Sequence, residues 1–576
     1  VTEGKTFFEG TINGADGTLD IFDGGELVLC QEGWTAACDP KGWGDANWDP
    51  QQGVGGPSSV FIDTLTIESD GTIAYQLTPK TASGTYPQVF ANTANLDGTL
   101  EAQFLPGFYA NKSFYDNIIE AGDRNGAFDA VADNSLLLKT KAIDDGNNVD
   151  LKVTRTAFDQ IKGLTKNQDS AAGGIENVHG KLPGPGVDPA TTNPFAQLVA
   201  NLFLISDKND YAALLDQLSG SQFAQELQSV LWSLRPLNES ITDRMDCGVN
   251  QSNIGPVSGS YGDKALGGYE HFGCFRPGQV QAWARVWGGW NNNDGDVNAP
   301  GYDERQWGIW GGADYALGDT VILGAAGGFF RSDMDFERFG GVSGGSIEYD
   351  GGQVAGYAGW DNAVWYDRAI VSAGFYDGES HRSFAFNRPA VDPSGSPDAD
   401  AVSFYNEAGR RFAVGSNVTL TPFAGLTVAH AELDGFTEND RQSTGAALKI
   451  SGSDADSVAS ILGLRFNASW GAFKPQVAVG WEHEFDDTSQ VVKVSFAGAP
   501  SGSSFKAIGT DLGDDALVVD AGTSYTVGPA NDLSVRYVGR FLDDYDSQSV
   551  MGRWTYKFGA APVAAPPPPI TNQPLK

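Results

Sequence analysis

The sequence is short of histidine, methionine, cysteine, basic residues and long apolar runs, and each shortage removes a class of function. The five histidines, His179, His271, His381, His430 and His483, stand apart, and no H-E-x-x-H pair is present to hold a catalytic zinc. No G-x-S-x-G elbow occurs. The four cysteines form no C-x-x-C motif, so a thiolate zinc site lacks partners. We therefore expect no catalytic residue, no metal site, no cofactor and no enzymatic activity. Basic residues number 37 against 73 acidic ones, a net charge of −36 that argues against a nucleic-acid partner, which would need a basic stripe. The longest apolar stretch, Phe195 to Ile205, is well below the roughly 18 residues of a membrane helix. That does not exclude a membrane crossed by strands, which are individually weak signals. No basic stretch precedes an apolar one at Val1, so any secretory leader is expected to have been removed.

What the chain has is glycine, aromatics and alternation. Glycine at 74 residues and aromatics at 11% suit an all-β chain with many tight turns. From Gln279 to Phe558 about a dozen alternating strands have joins that are short, then long, then short again. Leu317-Gly318-Asp319, Asp361-Asn362-Ala363, Gly415-Ser416-Asn417, Trp470-Gly471-Ala472 and Gly528 to Asn531 are the tight turns. Asn291 to Glu304, Ser332 to Ser346, Asp377 to Ala401, Leu433 to Ser457 and Asp486 to Asp514 are the long joins. An up-and-down membrane barrel carries short turns at one rim and long loops at the other, whereas a soluble sandwich has no reason to sort them.

Within the strands, period-two alternation separates two faces. Val550, Gly552, Trp554, Tyr556 and Phe558 share one face of the last strand, opposite Met551, Arg553, Thr555 and Lys557. Charge in lipid is costly, so the basic faces should point into a lumen and the aromatic faces outward. Arg285, Arg305, Arg368, Arg465, Arg536 and Arg553 are read as lumen-facing charges. Asp294 to Asn298 resembles a calcium loop only loosely, since Ala299 stands where an EF-hand needs glycine; a solvated acidic loop is the reading.

The region before the barrel has two parts. Short strands with Gly, Asp and Asn punctuation run from Thr11 to about Thr156, consistent with stacked solenoid rungs or a small sandwich. The break Gly180-Lys-Leu-Pro-Gly-Pro-Gly-Val187 then ends regular structure. Helical spacing follows: Phe195 to Phe203, a helix from about Asn209 as N-cap to Gly220, and a third with Leu227, Leu231 and Leu234 continuing past Pro236 to Arg244. At 1.5 Å per residue a rod from Ser221 to Met245 would reach roughly 36 Å, about the depth of a bilayer. It is either a linker domain or a helix threaded through the lumen, its acids facing the arginines. Even count and short spacing favour disulfides Cys30–Cys38 and Cys247–Cys274.

Several of these segments resemble the monomeric autotransporters of type V secretion. Tyr211-Ala-Ala-Leu-Leu-Asp-Gln-Leu-Ser-Gly220 looks like the segment that precedes their translocator barrel, followed by a helix ending near an Arg. Ala282-Trp-Ala-Arg-Val-Trp-Gly-Gly-Trp290 resembles their first strand. Trp310-Gly-Gly-Ala-Asp-Tyr315, Leu317-Gly-Asp319, Gly463-Leu-Arg465 and Trp481-Glu-His-Glu-Phe485 follow in the family's order. Gly84-Thr-Tyr86 and Val149 to Arg155 resemble the end of a β-helical passenger. The resemblance implies a twelve-strand barrel, a lumenal helix and a surface-exposed β-helical stalk. It also makes Val550, Trp554, Tyr556 and Phe558 the signal read by the outer-membrane assembly machinery. The family usually ends on that aromatic, but here Gly559 to Lys576 follow as a proline-rich tail. The tail resembles the hinge of the outer-membrane protein A family.

The expected organisation is an all-β chain with a β-helical stalk over residues 1–190 and a helical linker with its cysteine clasp over 191–278. The barrel follows over 279–559 and the periplasmic tail over 560–576. Expected partners are outer-membrane lipid, the assembly machinery, and cell-wall or surface partners. Three functions fit: an autotransporter displaying its own stalk in a structural or adhesive role, a barrel tethered to the cell wall by the tail, or the processed stump of a larger secreted enzyme or toxin. The stalk should be extracellular and the tail periplasmic.

Overall fold

The computed structural model describes residues 1–8, 10–31, 57–246, 278, 280–318, 320–362, 364–386, 389–414, 417–527 and 531–557. Cys38, Cys247, Cys274, Phe558 and the proline-rich tail lie outside them. Cys30, buried at the end of a strand, is disulfide-bonded.

The chain begins as a coil with two strands per turn. β1 (Gly4–Phe8), β3 (Gly25–Leu29), β5 (Thr72–Leu77), β7 (Thr99–Phe104) and β9 (Ala130–Asp133) form one parallel sheet. β2 (Thr11–Ile21), β4 (Ser59–Ile67), β6 (Gln88–Leu96) and β8 (Lys112–Gly126) pair in parallel in a second. Alternate side chains point between the sheets, so Val60, Val89 and Ile119 stack in register in the core. The hairpin β10 (Leu138–Asp145) and β11 (Asn148–Arg155) continues the second sheet, β11 lying antiparallel to β8.

Five helices follow: α1 (Lys166–His179), α2 (Pro194–Leu202), α3 (Lys208–Ser219), α4 (Gln222–Trp232) and α5 (Arg235–Asp246). The sequence reading missed α1, which places helix inside the stretch assigned to the stalk. Its start is a capping box in which Thr165 and Gln168 satisfy each other's backbone N–H groups. α3 is capped by Asp207, not Asn209, through hydrogen bonds from the Asn209 and Asp210 N–H groups. Gly220, at φ 69°, turns the chain into α4, and a side chain there would meet Leu448 at 2.9 Å. The single rod expected over 221–245 is two helices separated at 233–234, with Pro236 in the first turn of the second, where a missing N–H costs little.

The remaining chain closes a barrel of twelve antiparallel strands. In order these are Val280–Asn293, Tyr302–Leu317, Val321–Phe336, Gly345–Asp361, Trp365–His381, Asp398–Arg410, Val418–Leu433, Ser453–Ala468, Phe473–Glu484, Asp515–Thr526, Asn531–Phe541 and Tyr545–Lys557. Closure comes from the first strand pairing with the last, Gln281 against Lys557 through Asn293 against Tyr545. The long joins are at one rim, with one exception: only 542–544 separate the last two strands there. Two long joins are themselves structured. Segments 436–437, 448–450, 491–496 and 505–508 form a four-stranded sheet above the barrel.

Candidate functional site

The outer wall has two tiers. In the first strand Val280, Val286 and Trp290 are exposed while Trp283 and Trp287 point inward. The same alternation exposes Trp307 and Ile309 in the second strand and Val371 and Phe375 in the fifth. Towards the long-loop rim the outward positions become acidic. Asp333, Glu348 and Glu379 sit side by side across three strands, as do Asp350, Asp377 and Asp398. Carboxylates are not stable in hydrocarbon, so this tier marks where the apolar belt ends.

Arg305 belongs to that outward tier. It is exposed, lies opposite Asp333, and shares its face with Trp307, so it does not line the lumen. The reason is parity: Trp310 and Asp314 are inward, and odd-numbered neighbours on this strand must face out.

The inner wall grips α5. Asp243 accepts a hydrogen bond from Arg285, lies 2.7 Å from Arg553 Nη1 and 3.6 Å from Arg536. Asp246 pairs with Arg368 and lies 3.5 Å from Arg465, which also reaches Glu407 at 3.1 Å. Arg244, fully buried, donates to both oxygens of Asp314 at 2.8 and 2.9 Å and to Gln281 at 3.0 Å. Tyr357 donates to the same Asp314 and accepts from the Trp283 indole, whose ring packs where Gly312 has no side chain. Leu227, Leu231 and Leu234 are buried on α4 and just beyond it. Val550 and Trp554 are exposed on the lipid side of the last strand, with Tyr556 half-buried.

These contacts give the helix pair a direction. Gln222, at the start of α4, donates to Gly344 in the long join after the third strand. Arg244 and Asp246, at the end of α5, meet Asp314 and Arg368, close to the short turns. The chain therefore enters the lumen at the long-loop rim and traverses it before the first strand begins. Beside α5 a cavity of about 80 Å³ remains, bordered by Arg235, Glu239, Glu407, Glu482 and Arg540 as well as Phe423 and Val518. Its charges are mutually paired: Arg540 reaches Glu482 at 3.1 Å and Glu239 at 3.4 Å.

The long-loop rim is covered by α1–α3. The Asn167 side chain donates to the carbonyls of Asn298 and Ile508 and accepts from the Ile508 N–H, all within 2.9 Å. Gln217 donates to Gly340 and accepts from Ala385, while Arg382 joins Glu438 to the backbone of Gln217 and Ala446. Phe195 packs on Phe496 with ring centroids 5.1 Å apart. Burial pushes the Asp216 carboxyl up to about 6 against the hydrogen bond from Gln168. His179 is pushed down by burial and by Arg155. Glu176 is raised by burial, but its bidentate bond from Arg155 and the Phe158 N–H leave it lowered overall.

A closed, lipid-facing barrel with a helix traversing its lumen is a membrane translocator architecture. Residues 282–538 match the family model described as the autotransporter beta-domain, and the barrel is an autotransporter β-domain of the outer membrane. The chain is 24% identical over 436 residues to an extracellular serine protease of Serratia marcescens, a match over 72% of this chain and 40% of the relative. It thus spans well under half the length of that relative. Among solved structures it is similar to the translocator domain of autotransporter NalP from Neisseria meningitidis, at 14% identity and a TM-score of 0.42. That match covers 57% of this chain and 99% of the other. The beta domain of the Bordetella autotransporter BrkA is similar at 18% identity and a TM-score of 0.36, covering 49% of this chain and all of that one.

Proposed function

We propose that this chain exports its own N-terminal β-coil through the outer membrane and displays it at the cell surface in a structural or adhesive role. The supporting observation is the path of α4 and α5 through the lumen, which leaves everything before Gln222 beyond the long-loop rim. In this reading the rim faces outward and the short turns, with the proline-rich tail, face the periplasm. In the same reading Val550, Trp554, Tyr556 and Phe558 are the signal that the assembly machinery reads. The test is a cysteine at Asp144, an exposed position on β10. A membrane-impermeant maleimide should label it on intact cells; labelling only after permeabilisation overturns the orientation.

A second reading follows from the relatives named as extracellular serine proteases, which continue well beyond the region matched here. In it the coil is the base of a larger exported enzyme. Intact mass and N-terminal sequence compared with the encoding gene decide the matter. Hundreds of encoded residues before Val1 support this reading, and a leader peptide alone removes it.

A further inference from the structure

The outer face of the hairpin β10–β11 and the adjoining part of β8 runs against the acidic character of the chain. The register sets three strands side by side: Lys139, Thr154 and Lys112 form one row, and Lys141, Lys152 and Phe114 the next. Four lysines thus share an area about 10 Å by 7 Å, from the spacing of strands and of alternate residues. Lys141 and Lys152 face each other directly, an arrangement that destabilises a sheet unless something offsets it.

The nearby acids offset this only in part; Asp116, exposed two residues beyond Phe114 on the same face of β8, is one of them. Lys139 lies 3.3 Å from Asp133, but among the described residues Lys112, Lys141 and Lys152 have no carboxylate within ion-pair distance. Asp150, the next residue outward along β11, has its carboxylate turned to the Asn117 N–H at the bulge in β8, 2.7 Å away. Phe114 is 47% exposed, which leaves its ring available beneath the Lys152 ammonium, 5.9 Å from its centroid. Further along the same sheet face, Phe61 and Phe90 stack nearly coplanar with centroids 4.7 Å apart. The face is a sheet surface on which Phe114 lies among the lysines, while the Phe61–Phe90 pair lies further along beside Glu120.

We propose that this face binds the phosphorylated saccharide of the cell's own outer leaflet, with Lys112, Lys141 and Lys152 on phosphates and Phe114 against a sugar ring. Lysine is suited to phosphate as a compact, mobile charge, and an aromatic face suits the C–H side of a sugar. A phosphate between Lys141 and Lys152 removes their repulsion. The saccharide is favoured over an acidic protein by the exposed Phe114 ring set among the lysines. The proposal rests on the display of the coil outside the cell.

The experiment uses the full chain in neutral detergent and delipidated, phosphorylated core oligosaccharide from lipopolysaccharide, with the same oligosaccharide dephosphorylated as control. The parent should bind the phosphorylated form alone, more weakly as salt rises. Lys141→Gln with Lys152→Gln should lower affinity at least fivefold, Lys141→Arg with Lys152→Arg should retain it, and Lys80→Ala should change nothing. Equal binding by the glutamine variant, or equal binding of the dephosphorylated sugar, overturns the proposal. If the glutamine variant misfolds, phosphate dependence and the arginine variant still decide. Failure of maleimide labelling at position 144 overturns the display instead, because binding by the purified protein is measured independently of it.

Discussion

Asn167 donates two hydrogen bonds of 2.8 Å to Asn298, 131 residues away in sequence: its backbone N–H to the Asn298 side-chain oxygen, and its side-chain amide to the Asn298 carbonyl. With two further bonds to Ile508, one asparagine joins α1 to two different barrel joins. The helices between coil and barrel are thus fixed to the rim.

Replacing Asn167 with Ala should release that joint. Buried carbonyl and N–H groups of Asn298 and Ile508 would lose their partners, at a cost on the order of 3 kcal/mol. Hydrogen exchange should rise across α1 and α3 while the barrel keeps its heat-modifiable migration. Unchanged protection of α1 would show that the apolar contacts alone hold the cap.

Asp243→Asn should loosen the lumenal helix. The carboxylate faces Arg285, Arg536 and Arg553, and removing one side of a buried charge network typically costs about 3–5 kcal/mol. The variant should show higher and noisier conductance than the parent in planar bilayers. Arg305→Ala, on the outside, should conduct as the parent does.

How far this was legible from sequence differs by element. The barrel was legible because alternation and sorted joins are local patterns, and every arginine expected to face the lumen except Arg305 does so. Arg305 was misplaced because its charge was weighted above the parity set by Trp307 and Ile309. α1 was missed because its pattern is weak: Ala171, Ala172, Ile175 and Val178 are its buried apolar residues, and polar Asn167 is buried with them. The rim sheet was read as polar joins because its strands are two to six residues long and pair across joins distant in sequence. Such non-local pairing leaves no periodic signal. The acids of α5 were anticipated as a group, but which arginine each one meets depends on barrel geometry that no spacing encodes.

The two-tier outer wall gives a pair of opposite outcomes. Val286→Arg, exposed in the apolar belt of the first strand, should cost about 2–4 kcal/mol if it lies near the bilayer midplane. Assembled protein recovered in the outer membrane should fall accordingly. Glu348→Gln, in the acidic tier, should leave assembly unchanged. Equal yields for Val286→Arg and the parent would mean that the belt is misassigned.

Asp216 sets a pH dependence whose sign can be stated in advance. Its carboxyl is raised from 3.8 to about 6 in the folded chain, chiefly by burial. Between those values the folded state keeps a proton that the unfolded chain releases, so ionisation makes the cap less stable as pH rises through the window. Asp216→Asn removes the charge while keeping an oxygen to accept from Gln168. Relative to the parent, the variant should gain nothing below about pH 4, gain progressively as pH rises to 6, and hold a constant advantage above that. Glu176 and His179 act in the opposite sense, each losing its stabilising contribution as pH falls, but they are common to both proteins and cancel in the difference. Hydrogen-exchange protection of α1 and α3, measured at one-unit steps from pH 4 to 8 and corrected for intrinsic rates, gives that difference directly. A gap between variant and parent that is flat across this range would mean Asp216 titrates as an ordinary surface carboxylate.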